Sequence, residues 1–338
     1  MELVKIGKQI ARLRKENGYK GEQLAEVLGV SPQAISKWEN GRCLPETATL
    51  PKLAKALDCS IDTLLDPGTQ EYKMEDNEKV KNFYEIVDED ARLEENTKEF
   101  VRSKDIISRY LLDRNMEIAD VCGGTGPYAF WLAEKKHKVH LLDLTQKLID
   151  IAKRKGREKN ITLASYTCAD ARELLYEDES MDLVLLMGAL YHLRTKESRI
   201  KCLMEALRVL KPGGHIICTV INRYTVVIST IKYNLFHAFD LDNLEKFIKT
   251  GMTDAGRLPH AYAHTYGEIM EELSYAGFGD INVLPVEGLA NVFGDQSLPA
   301  DKIEDERLLE CVELTEKIPE LMGTSRNIMA IGRKGSEC

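Results

Sequence analysis

The sequence predicts an α/β protein, a doubly wound sheet preceded by a small all-α domain. Three observations predict it. Ile118-Ala119-Asp120-Val121-Cys122-Gly123-Gly124-Thr125-Gly126 reads as a buried strand that breaks into a glycine-rich turn and then a helix, Pro127 to Lys135. Strand-like apolar runs and helix-like segments follow that turn toward residue 331, the pattern of strands with crossover helices. Before residue 66, by contrast, the apolar residues recur at helical spacing.

The first part holds five short helices. Ile6, Ile10 and Leu13 share one helix face, and Leu24, Ala25 and Leu28 mark a second helix. Gly29-Val30 turns the chain, and Ser31-Pro32 opens a third helix with a capping hydroxyl and a proline at its first position. That helix runs from Pro32 to Asn40 and stops at Gly41; Leu50, Leu53, Ala54 and Leu57 mark a fourth, and Ile61 to Leu65 a fifth. The run Leu24-Ala25, Gly29-Val30-Ser31 and Ile35-Ser36-Lys37-Trp38-Glu39-Asn40-Gly41 resembles the phage-repressor (Xre/Cro-like) helix-turn-helix family across residues 3–66. The resemblance implies that the start of the third helix enters the major groove of DNA. Gln33, Ser36 and Lys37 are then the base- and phosphate-facing residues, with Asn40 nearer the backbone and Ile35 and Trp38 in the core. The family usually opens its second helix with Thr-Gln, where this chain has Lys20-Gly21. Residues 1–66 hold 10 Lys and Arg against 9 Asp and Glu, so phosphate attraction is modest and an operator is expected to need a homodimer.

The expected organisation is a domain over 1–66, a linker over 67–77 containing Pro67-Gly68-Thr69, and a second domain over 78–338. A charged helical segment, Glu78 to Leu112, precedes the glycine turn. After it come strands at Val139–Leu142, before Ala169, and at Met181–Leu186. A helix ending Ala206–Leu210 and the turn Lys211-Pro212-Gly213-Gly214 lead into a fifth strand, His215 to Val220. An insertion over 222–264 follows, then a helix Tyr266–Ala276. Glu287–Asn291 and a late helix Glu304–Lys317 are expected to complete the sheet before a last strand, Asn327–Ile331.

Asp143 closes the apolar run after the turn, 23 positions beyond Asp120, close to the roughly 20 expected between a nucleotide-binding turn and a ribose-holding carboxylate. Backbone that must approach a ligand at a helix start needs glycine. The spacing from Asp120 to Gly126, with Ala169-Asp170-Ala171, the Met181–Leu193 block and the Ala206–Gly214 block in order, resembles the class I S-adenosylmethionine-dependent methyltransferases over roughly residues 77–334. The departure is Cys122, where that family usually has glycine. The resemblance implies a Rossmann-like fold and S-adenosylmethionine as cofactor. It puts Asp120, Gly123, Gly124 and Gly126 at the methionine end and Asp143, with Leu144 beside it, at the ribose. Asp170 and Ala171 fall at the adenine, and Met187 on the sulfonium side. Asp120 sits where orienting the glycine loop and touching the ligand are both open to it. The helical segment before the turn is implied to cover the cofactor, with Tyr84 and Arg92 as edge contacts.

Methyl transfer from a sulfonium asks mainly for in-line approach in a water-poor pocket, with a general base if the nucleophile carries a proton. Tyr191-His192, directly after the fourth strand, makes His192 the first base candidate; His264, beside Tyr262, is the second. The aromatic insertion, with Tyr224, Tyr233, Phe236, His237, Phe239 and Phe247, is expected to enclose the acceptor. No Pro-Pro pair stands after the fourth strand and no Pro-Cys pair occurs, so neither DNA-methylating motif is present. Of the net charge of −9, the part after residue 66 carries −10, a poor surface for a polyanion. A small-molecule acceptor is the expected substrate, and no metal site is expected. Eight scattered cysteines without a C-x-x-C pair, and no long apolar window, point to a cytoplasmic protein with no membrane partner. Three functions stay open: an active enzyme whose first domain regulates transcription, a regulator whose second domain senses S-adenosylmethionine or S-adenosylhomocysteine, and an enzyme with a docking module.

Overall fold

The computed structural model describes residues 2–17, 19–57, 59, 61–65, 77–84, 97–236, 240–253, 261–292 and 306–336. Arg92, His237, Phe239 and the expected linker up to residue 76 lie outside these residues. The chain forms two compact units, Met1–Glu78 and Lys79–Cys338.

The first unit packs helices α1 (Glu2–Glu16), α2 (Gly21–Leu28), α3 (Pro32–Glu39), α4 (Leu50–Ala56) and α5 (Ile61–Leu65). Ile10, Leu24, Ile35, Leu53, Leu57 and Leu64 form its core, joined by Trp38. Gly29, at φ 68°, ends α2 in the left-handed region. Ser31 Oγ accepts the Ala34 amide at 3.2 Å and starts α3. Arg14 Nε donates to Glu39 Oε1 at 2.6 Å, tying α1 to α3. At the atypical Lys20-Gly21 start, Gln23 Oε1 accepts the Lys20 amide at 2.8 Å and supplies the missing cap.

The boundary falls inside helix α6, over 77–84, so that the second unit begins with its residues from Lys79 and continues in α7 (Thr97–Ser108). Its sheet comprises β1 (Glu117–Val121), β2 (Lys138–Asp143), β3 (Ser165–Cys168), β4 (Met181–Leu186), β5 (Leu210–Ile221), β8 (Gly279–Pro285) and β9 (Asn327–Arg333), in the order β3-β2-β1-β4-β5-β9-β8. β1 to β5 run parallel, and β9 lies antiparallel between β5 and β8. Helices α8 (Pro127–Glu134), α9 (Gln146–Lys159), α10 (Ala189–His192), α11 (Lys196–Val209) and α14 (Tyr266–Ala276) flank it. β4 is buried along its whole length, with Val184 and Leu186 in one core and Leu183 and Leu185 in the other. The parallel order reverses between β1 and β4, which opens a crevice at their carboxyl ends.

Two expectations need correction. The fifth strand starts at Leu210, so Lys211–Gly214 is a bulged entry, with a register shift against Met181–Leu183, and not a free turn. Glu287–Asn291 contributes no strand; the sheet is completed by Gly279–Pro285 just before it, whose first two residues, Gly279 and Asp280, are exposed turn-forming types. The insertion folds as α12 (Tyr224–Lys232), α13 (Leu241–Thr250) and a small ribbon of β6 (Met252–Thr253) and β7 (Ala261–Tyr262). The late helix, α15, spans Glu306–Thr315. No helix among the described residues is long and apolar enough to cross a membrane.

Candidate active site

The crevice is built from four adjacent strand ends, those of β3, β2, β1 and β4. At β1, Gly124 and Gly126 take φ of 56° and 86°, and Gly126 stands at the start of α8. A Cβ on Gly123 would lie 2.6 Å from Asp120 Oδ2, so only glycine lets the loop close over that carboxyl. Cys122 is at φ 59°, the left-handed conformation that explains why glycine is the usual residue there. Lys155 Nζ reaches Thr125 Oγ1 at 3.3 Å and fastens the loop to α9.

Asp120 is 0% exposed, and neither carboxyl oxygen has a hydrogen bond of ordinary geometry. Burial raises its pKa to about 7; the Ala129 amide opposes the shift and the charge of Asp143 adds to it. Asp143, at the end of β2, is 7% exposed. Its Oδ2 accepts the Gly124 amide at 3.0 Å and its Oδ1 the Thr145 amide at 2.8 Å, so one carboxylate holds both the glycine loop and the start of α9. Leu144, next to it, is half-buried. β3 ends beside β2, where the Ala169 amide donates to the Asp143 carbonyl at 3.0 Å. There Asp170 is gripped by Arg172, which donates from Nε to Oδ1 at 2.9 Å and from Nη2 to Oδ2 at 2.6 Å. Ala171 is buried beside them. Arg172 escaped the sequence reading, which had no signal for a buried cation two residues after the acid.

At the end of β4, Met187 is half-buried and its Sδ accepts from Thr219 Oγ1 at 3.4 Å. A Cβ on Gly188 would lie 2.8 Å from the Tyr191 hydroxyl, which folds back over this glycine. The rings of Tyr191 and His192 lie 4.5 Å apart between centroids, tilted by 57°. Tyr84 Oη and His192 Nε2 are 2.9 Å apart, and Lys147 Nζ on α9 donates to the Tyr84 carbonyl at 3.2 Å. One residue of α6 thus touches elements from both sides of the β1 end.

His264 is placed otherwise than expected. It is 0% exposed, in a buried cluster where its Nε2 pairs with Glu272 Oε2 at 3.2 Å, and its main chain bridges to Asn222. Burial lowers its pKa, with Glu272 pulling the other way. Glu272 also accepts from Arg199 Nη2 at 2.7 Å, and Arg199 Nη1 donates to the carbonyls of Leu193 at 3.0 Å and Arg194 at 2.9 Å. Its guanidinium lies 3.6 Å from the Tyr262 ring centre. With no exposed surface, His264 braces the segment just after His192 through this network instead of facing an acceptor. The aromatic insertion also differs: Tyr224, Tyr233 and Phe236 are exposed, whereas Phe247 and Tyr262 are buried. The three exposed rings do not wall an enclosed pocket.

In the first unit, Gln33, Ser36, Lys37 and Asn40 are exposed on α3, while Ile35 and Trp38 are buried. Asn40 Nδ2 donates to the Ser36 carbonyl at 2.8 Å and to Ser36 Oγ at 3.3 Å, so Asn40 and Ser36 form one polar pair.

Residues 118–214 match the family model of a methyltransferase domain, and residues 10–64 that of a helix-turn-helix. The demethylmenaquinone methyltransferase of Oceanobacillus iheyensis is 27% identical over 190 residues, which cover 55% of this chain and 79% of that protein. The ubiquinone/menaquinone biosynthesis C-methyltransferase of Bartonella quintana is 28% identical over 138 residues, 40% of this chain and 52% of its own. Among solved structures, a protein of Pyrococcus horikoshii superposes with a TM-score of 0.50 at 13% identity, covering 75% of this chain and 99% of that one, a likeness of fold alone. The glycine cradle, the fully buried Asp120 and the acceptor carboxylate of Asp143 at adjoining strand ends suit a cofactor with cationic and hydroxyl groups. The chain joins a phage-repressor-like helix-turn-helix domain to a class I S-adenosylmethionine-dependent methyltransferase domain.

Proposed function

We propose that the enzyme methylates a small-molecule acceptor at the carboxyl ends of β1 and β4, and that its helix-turn-helix domain binds an operator and thereby regulates transcription. The hydrogen-bonded Tyr84–His192 pair, beside Met187 and Gly188, carries the catalytic part of the reading. When bound, S-adenosylmethionine supplies an already activated methyl group. Asp143 would hold the ribose hydroxyls, Asp170 the adenine amine and the Gly123–Gly126 loop the methionine end, with Asp120 beneath the loop. His192 takes the acceptor's proton as general base, and Tyr84 sets the orientation of its ring. Cys122, the cysteine in the glycine loop, is no nucleophile: burial, then the negative charge of Asp143, pushes its thiol well above its ordinary value.

The relatives are named for transfer to demethylmenaquinone and to a carbon of the ubiquinone/menaquinone series. That chemistry, a hydroxylated ring made nucleophilic by loss of a proton, suits a histidine base. Methyl-labelled S-adenosylmethionine and 1,4-naphthoquinol, kept reduced, form the test. Label should enter the ring with wild type and fall sharply with His192→Ala. Cofactor binding without transfer to any of a panel of phenols, thiols and amines, combined with operator affinity that changes on adding S-adenosylhomocysteine, would replace the enzyme reading by the sensor reading. The exposed Gln33, Ser36 and Lys37 support the DNA-binding part.

A further inference from the structure

Asp143 ends β2 opposite Cys168, the last residue of β3, and Asp170 follows two positions later, just past the Ala169 amide that donates to the Asp143 carbonyl. Burial, then the charges of Asp143 and Asp170 among others, raises the thiol of Cys122 at the next strand end, so all of them lie within electrostatic reach. In this acidic corner sits Arg172, 1% exposed. Its fork takes both oxygens of Asp170, its own amide donates to Oδ1 at 2.9 Å, and Nη1 extends to Ser198 Oγ on α11 at 3.4 Å. Burying a guanidinium is costly unless it is paired, and pairing it in a planar two-point grip fixes the carboxylate plane. The side chain of Asp170 remains 22% exposed, so the gripped group is not sealed in the core.

We propose that Arg172 is a positioning residue for cofactor selection: it holds Asp170 as a fixed, acceptor-only group, so that the site takes a purine bearing a 6-amino donor and rejects one bearing a 6-oxo acceptor. This rests on the placement of adenine at Asp170. A carboxylate held in ionised form cannot donate to a carbonyl oxygen, and two facing acceptors repel. A carboxyl freed from its arginine can rotate away or bind a proton and donate, and the selection then weakens. Without Arg172, Asp170 would still be acidic in composition, but its geometry and charge state would no longer be set.

The test is calorimetric binding of S-adenosylhomocysteine and of S-inosylhomocysteine to the full chain, with no acceptor needed. Wild type should prefer the adenine compound by roughly 10- to 150-fold, the range for one hydrogen bond to a charged group. Arg172→Met should lower that preference at least about tenfold, the value of one such bond. If Arg172→Met does not fold by circular dichroism, Arg172→Lys serves, because a single ammonium cannot grip both oxygens, and the preference should fall in the same direction. A purely structural arginine would weaken both ligands equally, so an unchanged ratio in a folded Arg172 variant overturns the proposal. Asp170→Asn distinguishes the underlying placement: its amide can donate, so the preference should collapse. If Asp170→Asn leaves both affinities unaltered, adenine does not sit there and the role of Arg172 falls with it.

Discussion

Replacing Asp143 by alanine separates the two jobs of that carboxylate. Its oxygens accept the Gly124 amide at 3.0 Å and the Thr145 amide at 2.8 Å in a nearly closed site. Each hydrogen bond to a charged group contributes about 1.5–3 kcal/mol, and water entering the vacated space recovers part of that. The apo protein should therefore lose about 2–4 kcal/mol, a fall in Tm on the order of 5–15 °C for a body of this size. The ribose hydroxyls lose their acceptor as well, so S-adenosylhomocysteine should bind roughly 10- to 150-fold more weakly. Asp143→Asn keeps the volume and one acceptor oxygen, and should fall between wild type and alanine in both measurements. Differential scanning calorimetry of the apo protein and isothermal titration with S-adenosylhomocysteine read the two effects independently. A lowered Tm with unchanged ligand affinity refutes the ribose assignment and leaves Asp143 as a brace between loop and helix. An unchanged Tm refutes the argument that its two backbone bonds matter.

With an acceptor in hand, His192→Ala should lower turnover by roughly 10²–10⁴ and Tyr84→Phe by less, while both leave S-adenosylhomocysteine affinity near wild type; equal rates and pH profiles across the three proteins would exclude His192 as the base. Asp120 has a folded pKa of about 7 against roughly 3.9 unfolded, so its protonated form belongs to the native state. Stability from this source is full below about pH 4 and lost as the pH rises through 7, up to about 4 kcal/mol in all. Apo Asp120→Asn should accordingly gain Tm relative to wild type between pH 5 and pH 8 (a span set about the titration), and parallel curves would show that the carboxyl is ionised throughout. On DNA, Gln33→Ala should relax base preference at about 1–3 kcal/mol, and Lys37→Ala should flatten the log–log salt slope by about 1, both measured by fluorescence anisotropy on a selected site. Equal losses on all sequences with an unchanged salt slope would place neither residue at the groove.

The parallel half of the sheet was legible because β1, β2 and β4 are largely buried, so each carries a short apolar stretch, Ile118-Ala119, Leu141-Leu142 and Leu183 to Leu186, followed within a few residues by a glycine or an acid. β8 was not, because this edge strand opens with Gly279-Asp280, exposed residues of turn-forming types. At the site, local sequence marks the residues whose chemistry depends on a turn: Gly123 to Gly126 and Asp143 stand within one βαβ unit. Arg199 and Glu272 act through each other, 73 positions apart on α11 and α14, and nothing in their own neighbourhood signals this. Arg172 grips an acid only two positions away, but its burial against α11 is set by packing. His264 shows the converse. A histidine next to a tyrosine after a long insertion looks catalytic in one dimension, but the partner that decides its role, Glu272, is chosen by packing.

The position of β9 has a consequence for how the chain is made. The helix-turn-helix unit is contiguous and local, so all of its contacts exist once about its first 78 residues have left the ribosome. The sheet is different: Asn327–Arg333 follows all the other strands of the sheet in the chain and is inserted between β5 and β8. Until it arrives, β5 presents an unpaired apolar edge and β8 has no neighbour, a state open to wrong pairing with other nascent chains. An operator-binding module would thus be finished while the catalytic body still waits for its closing strand. A chain stopped short of residue 327 would yield a folded DNA reader attached to an incomplete and sticky sheet.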